Sequence, residues 1–598
     1  MSTHADRLAA LREELARRRL EGFVVPLTDE HMSEYVGAYA QRLAWLTGFQ
    51  GSAGSAVVLP AEAAIFVDGR YTLQVREQVD GSQWSYQSVP QTSVARWLGD
   101  HAASGARIGY DPWLHTKTWV EAAGTALAGQ GAELVAAETN PVDAIWPDRP
   151  LPSAARLVVK PDALAGRSSA DKRQAIAAWL AEKKADAVVL SALDSIAWTF
   201  NVRGADVAHT PVALAYAIVH ADGTADLFVA PEKLDDNVRR HLGDAVRLRR
   251  REAFAVALGE MTGRRVAADP ERAVAAIFGA LAEGGATVLE LRDPAVLPKA
   301  IKNEVEIAGH RAAQLRDGAA LTRFLHWLSI EAPKGGVDEL GAEAKLRAFR
   351  EETGALRDLS FDTISGAGQN GAIVHYRASE ATNRKLEPGT LYLVDSGGQY
   401  QDGTTDVTRT VAIGEPSAEM RDRFTRVLKG HVAIARAQFP AGVRGGQLDP
   451  LARQYLWAAG LDYAHGTGHG VGAFLAVHEG PQRIAAGGAF AGGDEPLQPG
   501  MIISNEPGYY KAGAYGIRIE NLVLVERREV PGAEGPVLGF ETLTFAPIDR
   551  RLIDVAMLDA GERAWIDAYH AGVFARLETL VPADVRKWLA EETAPLQV

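Results

Sequence analysis

The chain has 598 residues, of which 47% are hydrophobic and 23% charged, with a formal net charge of −13 and no cysteine. That length exceeds what one core serves and predicts two to four domains in an ordinary soluble protein. The acidic balance argues against a nucleic-acid surface. The missing cysteines exclude disulfides, thiol nucleophiles and thiolate zinc sites, and they fit a reducing cytoplasm.

Leu8, Leu11 and Leu15, spaced among charged residues, predict an amphipathic N-terminal helix. The longest apolar stretch, Pro211 to Val219, is far short of a bilayer span, so no membrane partner is expected. A faint repeat follows. Leu43-Ala-Trp45-Leu-Thr-Gly-Phe-Gln-Gly51 is echoed by Ile196-Ala-Trp198-Thr-Phe-Asn-Val-Arg-Gly204, each copy flanked by strand-like runs, so the first half reads as two α/β domains. The proline-rich stretch Pro147–Pro152 predicts a linker, and a further boundary is expected near Pro294–Pro298. The expected domains are therefore 1–150, 151–298 and 299–598. Asn303 and Glu306 carry the spacing of a helix-capping box, and the helix they open places Val305, Ala308, Ala312 and Leu315 on one face. Trp565, Tyr569, Val573 and Leu577 predict a second amphipathic helix near the C-terminus.

The last third repeats a phrase. Leu386-Glu-Pro-Gly-Thr-Leu-Tyr-Leu-Val-Asp395-Ser-Gly is matched by Leu497-Gln-Pro-Gly-Met-Ile-Ile-Ser-Asn-Glu506-Pro-Gly. In each copy Pro-Gly sets a turn, an apolar strand follows, and a carboxylate closes it. Asp406 follows Asp395 by eleven residues, Glu520 follows Glu506 by fourteen, and His465-Gly-Thr-Gly-His469-Gly-Val-Gly lies between the copies. Four carboxylates on strands that read as buried would repel one another without a cation. One Arg518 does not balance them. Two divalent ions do, and oxygen ligands with one imidazole favour Mn²⁺, with Zn²⁺ or Co²⁺ as alternatives. Two other motifs mislead. Gly366-Ala-Gly368-Gln-Asn-Gly371 fits the dinucleotide fingerprint, but Ala372–Tyr376 reads as strand where a helix is required. The chain has no H-E-x-x-H and no G-x-S-x-G.

The set Val394-Asp395-Ser-Gly-Gly, Thr405-Asp406-Val-Thr-Arg, His465-Gly-Thr-Gly-His469, Val477-His478-Glu-Gly-Pro, Ser504-Asn-Glu506-Pro-Gly-Tyr-Tyr and Ile517-Arg518-Ile-Glu520-Asn resembles the pita-bread metallopeptidases. The resemblance is strongest to their cytosolic, three-domain aminopeptidase P branch and covers nearly the whole chain. It implies two creatinase-like α/β domains followed by an α+β pita-bread catalytic domain with internal pseudo-two-fold repeat. It also implies a homodimer acting on peptides with proline at position 2. Asp395 would chelate one metal, His469 and Glu506 the other, and Asp406 and Glu520 would bridge both, with Glu506 also moving the proton. His375 and His478 would stand beside the scissile carbonyl and the prolyl ring, and His465 and Arg518 would complete the substrate pocket. Asp68-Gly69-Arg70 also resembles the family but receives no role. The alternatives are a prolidase limited to Xaa-Pro dipeptides and a non-catalytic binding protein of the same fold.

Overall fold

The computed structural model describes residues 3–486 and 493–597, in two compact units, 1–296 and 297–598. In the first unit the faint repeat becomes two six-stranded sheets of one topology. One runs Ser85–Ser88, Ala63–Val67, Ser55–Val58, Gly22–Pro26, Arg107–Tyr110, Glu133–Ala136. The other runs Val246–Arg249, Ala225–Val229, Ala215–His220, Ala187–Leu190, Arg265–Ala268, Thr287–Glu290. Both have antiparallel pairs at the centre and parallel pairs outward. The repeated tryptophan phrases form matching helices, Arg42–Thr47 and Leu193–Phe200. Each ends on a left-handed residue, Gly48 at φ 85° and Asn201 at φ 49°, the two residue types that tolerate a helix stop there. Leu8, Leu11 and Leu15 are buried on the N-terminal helix, as their spacing predicts. Asp68 and Arg70 lock a local turn: the Arg70 guanidinium donates to Asp68 Oδ2 at 2.7 Å, and Asp68 Oδ1 accepts the Arg70 backbone N–H.

In the second unit the capping box forms at Asn303 and Glu306 and opens a 28-residue helix, Glu304–Glu331. The face that carries Val305, Ala308 and Ala312 is not the buried one, and Leu315 is half-buried. Val305 is 39% exposed, and Ala308 and Ala312 also face solvent, whereas Ile307, His310, Ala313, Gln314 and Asp317 are buried. Polar residues win the interior because they find partners there: Asp317 accepts a paired hydrogen bond from the Arg350 guanidinium and another from Tyr400. The stretch Ala372–Tyr376 is likewise not a strand. The strand Ile364–Ala367 takes in the first two residues of the glycine motif, and the rest forms a 3₁₀ turn, Gly368–Ala372. A nucleotide-binding helix is absent there, though for a different reason from the one expected. The helix Ala560–Leu577 does bury Tyr569, Val573 and Leu577. Among the described residues no helix is long and apolar enough to cross a membrane.

Two sheets organise this unit. A three-stranded sheet orders Ile364–Ala367, Thr390–Ser396 and Val407–Ile413; a six-stranded one orders Phe439–Pro440, Val537–Thr542, Asn521–Arg528, Ile502–Asn505, Gly468–Gly470 and Glu479–Ile484. The repeated Pro-Gly phrases open corresponding strands. Thr390–Ser396 pairs with the strand just after Asp406, and Ile502–Asn505 pairs with the strand just after Glu520. The pseudo-two-fold visible in the sequence is thus a relation between strand pairs.

Candidate metal centre

Strand ends bring the five predicted residues to one place. Asp395 sits in register with Ile364 and Thr408, and Asp406 immediately precedes its strand. His469 is the middle residue of a three-residue strand whose register slips between His469 and Gly470, a bulge of the kind that re-aims a side chain. A Cβ on Gly468 would lie 1.9 Å from the Ser504 carbonyl oxygen, so only glycine lets the histidine strand approach the Glu506 strand this closely. Glu520 stands in the gap between the strands Tyr515–Arg518 and Asn521–Arg528.

Ligand atoms of Asp406, His469 and Glu520 fall within 4.8 Å of one another. His469 Nε2 is 3.4 Å from Asp406 Oδ2 and 3.3 Å from Glu506 Oε1. Asp406 is 3% and Glu520 1% exposed. Burial, then the neighbouring Asp395 and Glu506 carboxylates, push the Asp406 acid well above the usual carboxylate range; burial, then Asp406, Asp395 and Glu506, do the same to Glu520. Asp395 Oδ1 and Glu520 Oε1 are buried without any hydrogen-bond partner. Orphaned carboxylate oxygens inside a ring of acids fit divalent cations, whose charge offsets both the repulsion and the missing bonds.

The ring of His478 lies 4.4 Å from that of His469 and 6.3 Å from that of His375, so His478 borders the cluster and His375 stands beside His478. His465 and Arg518 lie in a hydrogen-bonded row with Tyr510 beside the cluster. His465 Nδ1 bonds the Gly466 carbonyl and Nε2 bonds the Tyr510 hydroxyl, both at 2.8 Å. Arg518 has a side chain only 2% exposed, and it donates to Asp395 Oδ2 (2.6 Å), the Tyr510 hydroxyl (2.6 Å) and Thr408 Oγ1 (3.1 Å). A guanidinium so committed holds Asp395 across 123 residues of sequence.

Several positioning residues escaped the sequence reading. Thr408 donates to Glu520 Oε2 at 2.7 Å, and Ser504 donates to Glu506 Oε1 at 3.0 Å while accepting the His469 backbone N–H. Tyr510 joins His465 to Arg518, and burial pushes its phenol up to about 12. Arg409, fully inside, donates to the carbonyl of Glu520 and, through Ala546, Pro547 and Tyr569, ties the site to the C-terminal segment. Their adjacency to the ligand motifs was the available signal: Thr408 lies two residues after Asp406, Ser504 two before Glu506.

Residues 308–527 match the profile of metallopeptidase family M24, and 536–596 match its C-terminal region. Residues 7–145 and 148–306 each match a creatinase/prolidase N-terminal domain. A protein of Paracoccidioides brasiliensis (strain Pb03) named "Probable Xaa-Pro aminopeptidase P" is 41% identical over 618 residues, 99% of each chain. One of the same name from Laccaria bicolor is 41% identical over 99% of this chain and 93% of its own. The chain belongs to the Xaa-Pro aminopeptidase P family. Its fold matches, at a TM-score of 0.94 and 35% identity over the whole of both chains, an X-prolyl aminopeptidase from Caenorhabditis elegans described as a cytosolic enzyme with a di-nuclear active site. The creatinase-like pair and the M24 catalytic domain are accordingly the architecture of this chain, and it is a metallo-aminopeptidase by family.

Proposed function

We propose that the chain removes the N-terminal residue from peptides whose second residue is proline, using two divalent ions held by Asp395, Asp406, His469, Glu506 and Glu520. The observation that carries this is the ring of acids around one imidazole, with Asp395 Oδ1 and Glu520 Oε1 unpartnered inside it. Two bound ions would supply Lewis-acid polarisation of the carbonyl and lower the pKa of the attacking water. The rest falls to side chains. Glu506 has the most open of the three carboxylates in ion-pair contact here, its side chain 16% exposed against 4% for Asp406 and 10% for Asp395. It accepts the proton released as water attacks the scissile carbonyl and passes it to the prolyl nitrogen, which leaves as a secondary amine. Ser504 donates a hydrogen bond that steadies its carboxylate at Oε1. His375 and His478 donate hydrogen bonds toward the substrate carbonyl region, and Arg518 holds Asp395 in place.

The proline ring explains the need for such a site: an Xaa-Pro bond has no N–H and a fixed φ, which strand-like binding of ordinary peptides does not accommodate. Mn²⁺ is the proposed ion on ligand hardness, with Zn²⁺ and Co²⁺ next. The same reading takes 1–150, 151–298 and 299–598 as the domains, a homodimer as the assembly and the cytoplasm as the location. The absence of cysteine and the cytosolic description of the nematode relative support the last. Protein stripped and reloaded with Mn²⁺ should cleave Arg-Pro-Pro and leave Arg-Ala-Ala intact. Cleavage of Arg-Pro alone would turn the assignment to prolidase, and cleavage of neither by metal-loaded protein would overturn it.

A further inference from the structure

The phrase Val477-His478-Glu479-Gly-Pro contains a charge that the reaction does not use. Glu479 opens the strand Glu479–Ile484 and pairs across it with Gly470, the residue after His469. Its carboxylate is completely buried and bound to two lysines: Oε2 accepts from Lys299 Nζ at 2.8 Å, and Oε1 from Lys302 Nζ. Those side chains are 2% and 1% exposed. Lys302 also donates through Nζ to the Lys299 carbonyl, and its backbone N–H bonds the Gly500 carbonyl, while Ile301 bridges Met501. The segment 299–302 therefore grips the strand that begins just after His478 at one end and the start of the strand before Glu506 at the other.

Two cations facing one anion, all out of water, is a costly way to hold a fold. Well-packed apolar side chains of the same volume commonly replace a buried ion pair without loss of stability, whereas ionic contacts fix register and orientation. The contact joins residues 177 and 180 positions apart in sequence and acts one peptide bond from His478. We infer that the Lys299–Glu479–Lys302 triad is a positioning device for the reaction, setting His478 against the metal centre. This rests on the role given to His478 above.

The test uses full-length, metal-loaded protein. Lys302→Met leaves Lys299 paired with Glu479, so the buried carboxylate keeps a cation. It should keep metal content and hold KM within about twofold while kcat drops about tenfold, the loss usual for supporting residues behind a metal site. In a His478→Ala background the same substitution should lower kcat no further, because both changes remove one contribution. Glu479→Asp keeps every charge and shortens the tether by one methylene, and it should reproduce the kcat loss if Lys302→Met does not fold. Wild-type kcat in Glu479→Asp, or losses from Lys302→Met and His478→Ala that multiply, overturns the inference. Intact turnover in His478→Ala alone would overturn the site reading and the inference with it; impaired His478→Ala beside unimpaired triad variants would overturn the inference only.

Discussion

The two halves of the catalytic unit place their first acid by the same device and hold it by different ones. Asp395 lies inside a seven-residue strand with neighbours paired on both sides, and its Oδ2 is held by a buried guanidinium from the other half. Glu506 stands just past a four-residue strand, with a more open side chain, and is held by Ser504 two residues before it. The first half is thus fixed by a charge crossing the pseudo-two-fold, the second by a local hydroxyl. The difference suits the proposed chemistry. A ligand that only chelates gains from rigid enclosure, whereas an acid that also moves a proton must remain accessible and adjustable.

The largest effect is expected where the halves share an acid. Asp406→Ala removes a carboxylate in contact with His469 and facing Glu520, and should lose metal and turnover together, read by elemental analysis beside the peptide assay. Retained stoichiometry of two ions in that variant would break the assignment of Asp406 as a bridge. Next comes His375, which stands beside His478. His375→Ala should keep both ions and the folded state while kcat falls by about 10²–10³, the usual loss for one donor to a developing oxyanion. Unchanged kcat would return His375 to a structural role.

Arg518→Met tests the long-range hold on the first half. It leaves Asp395 Oδ2 and the Tyr510 hydroxyl without their donor, so metal affinity should weaken by about 10–100-fold, measured by competition with a chelator. Ser504→Ala tests the local hold on the second half. Losing a hydroxyl donor to a carboxylate costs about 1.5 kcal/mol, or roughly tenfold in affinity. If Ser504→Ala proved the more damaging of the pair, the contrast between the halves would be reversed.

The reading of Asp395 and Glu506 as paired strand-end acids came from a local pattern, Pro-Gly turn, apolar run, carboxylate, and that pattern is sufficient because turns and strands are decided over a few residues. The same holds for the capping box at Asn303 and the N-terminal leucine face. The helix Glu304–Glu331 shows where local pattern stops working. Small apolar residues at Val305, Ala308 and Ala312 carry little burial free energy, while Asp317 and Gln314 offset theirs through Arg350, Tyr400, Thr404 and Thr544, whose positions no period in the helix reveals. Arg518 was visible beside Glu520, but its bond to Asp395 was not, and neither was the pairing of Glu479 with Lys299 and Lys302. Sequence by itself determined which residues end strands, cap helices and supply ligand chemistry. Tertiary structure alone decided which buried charges meet, because a charge far along the chain becomes a partner only once the sheets have closed around it.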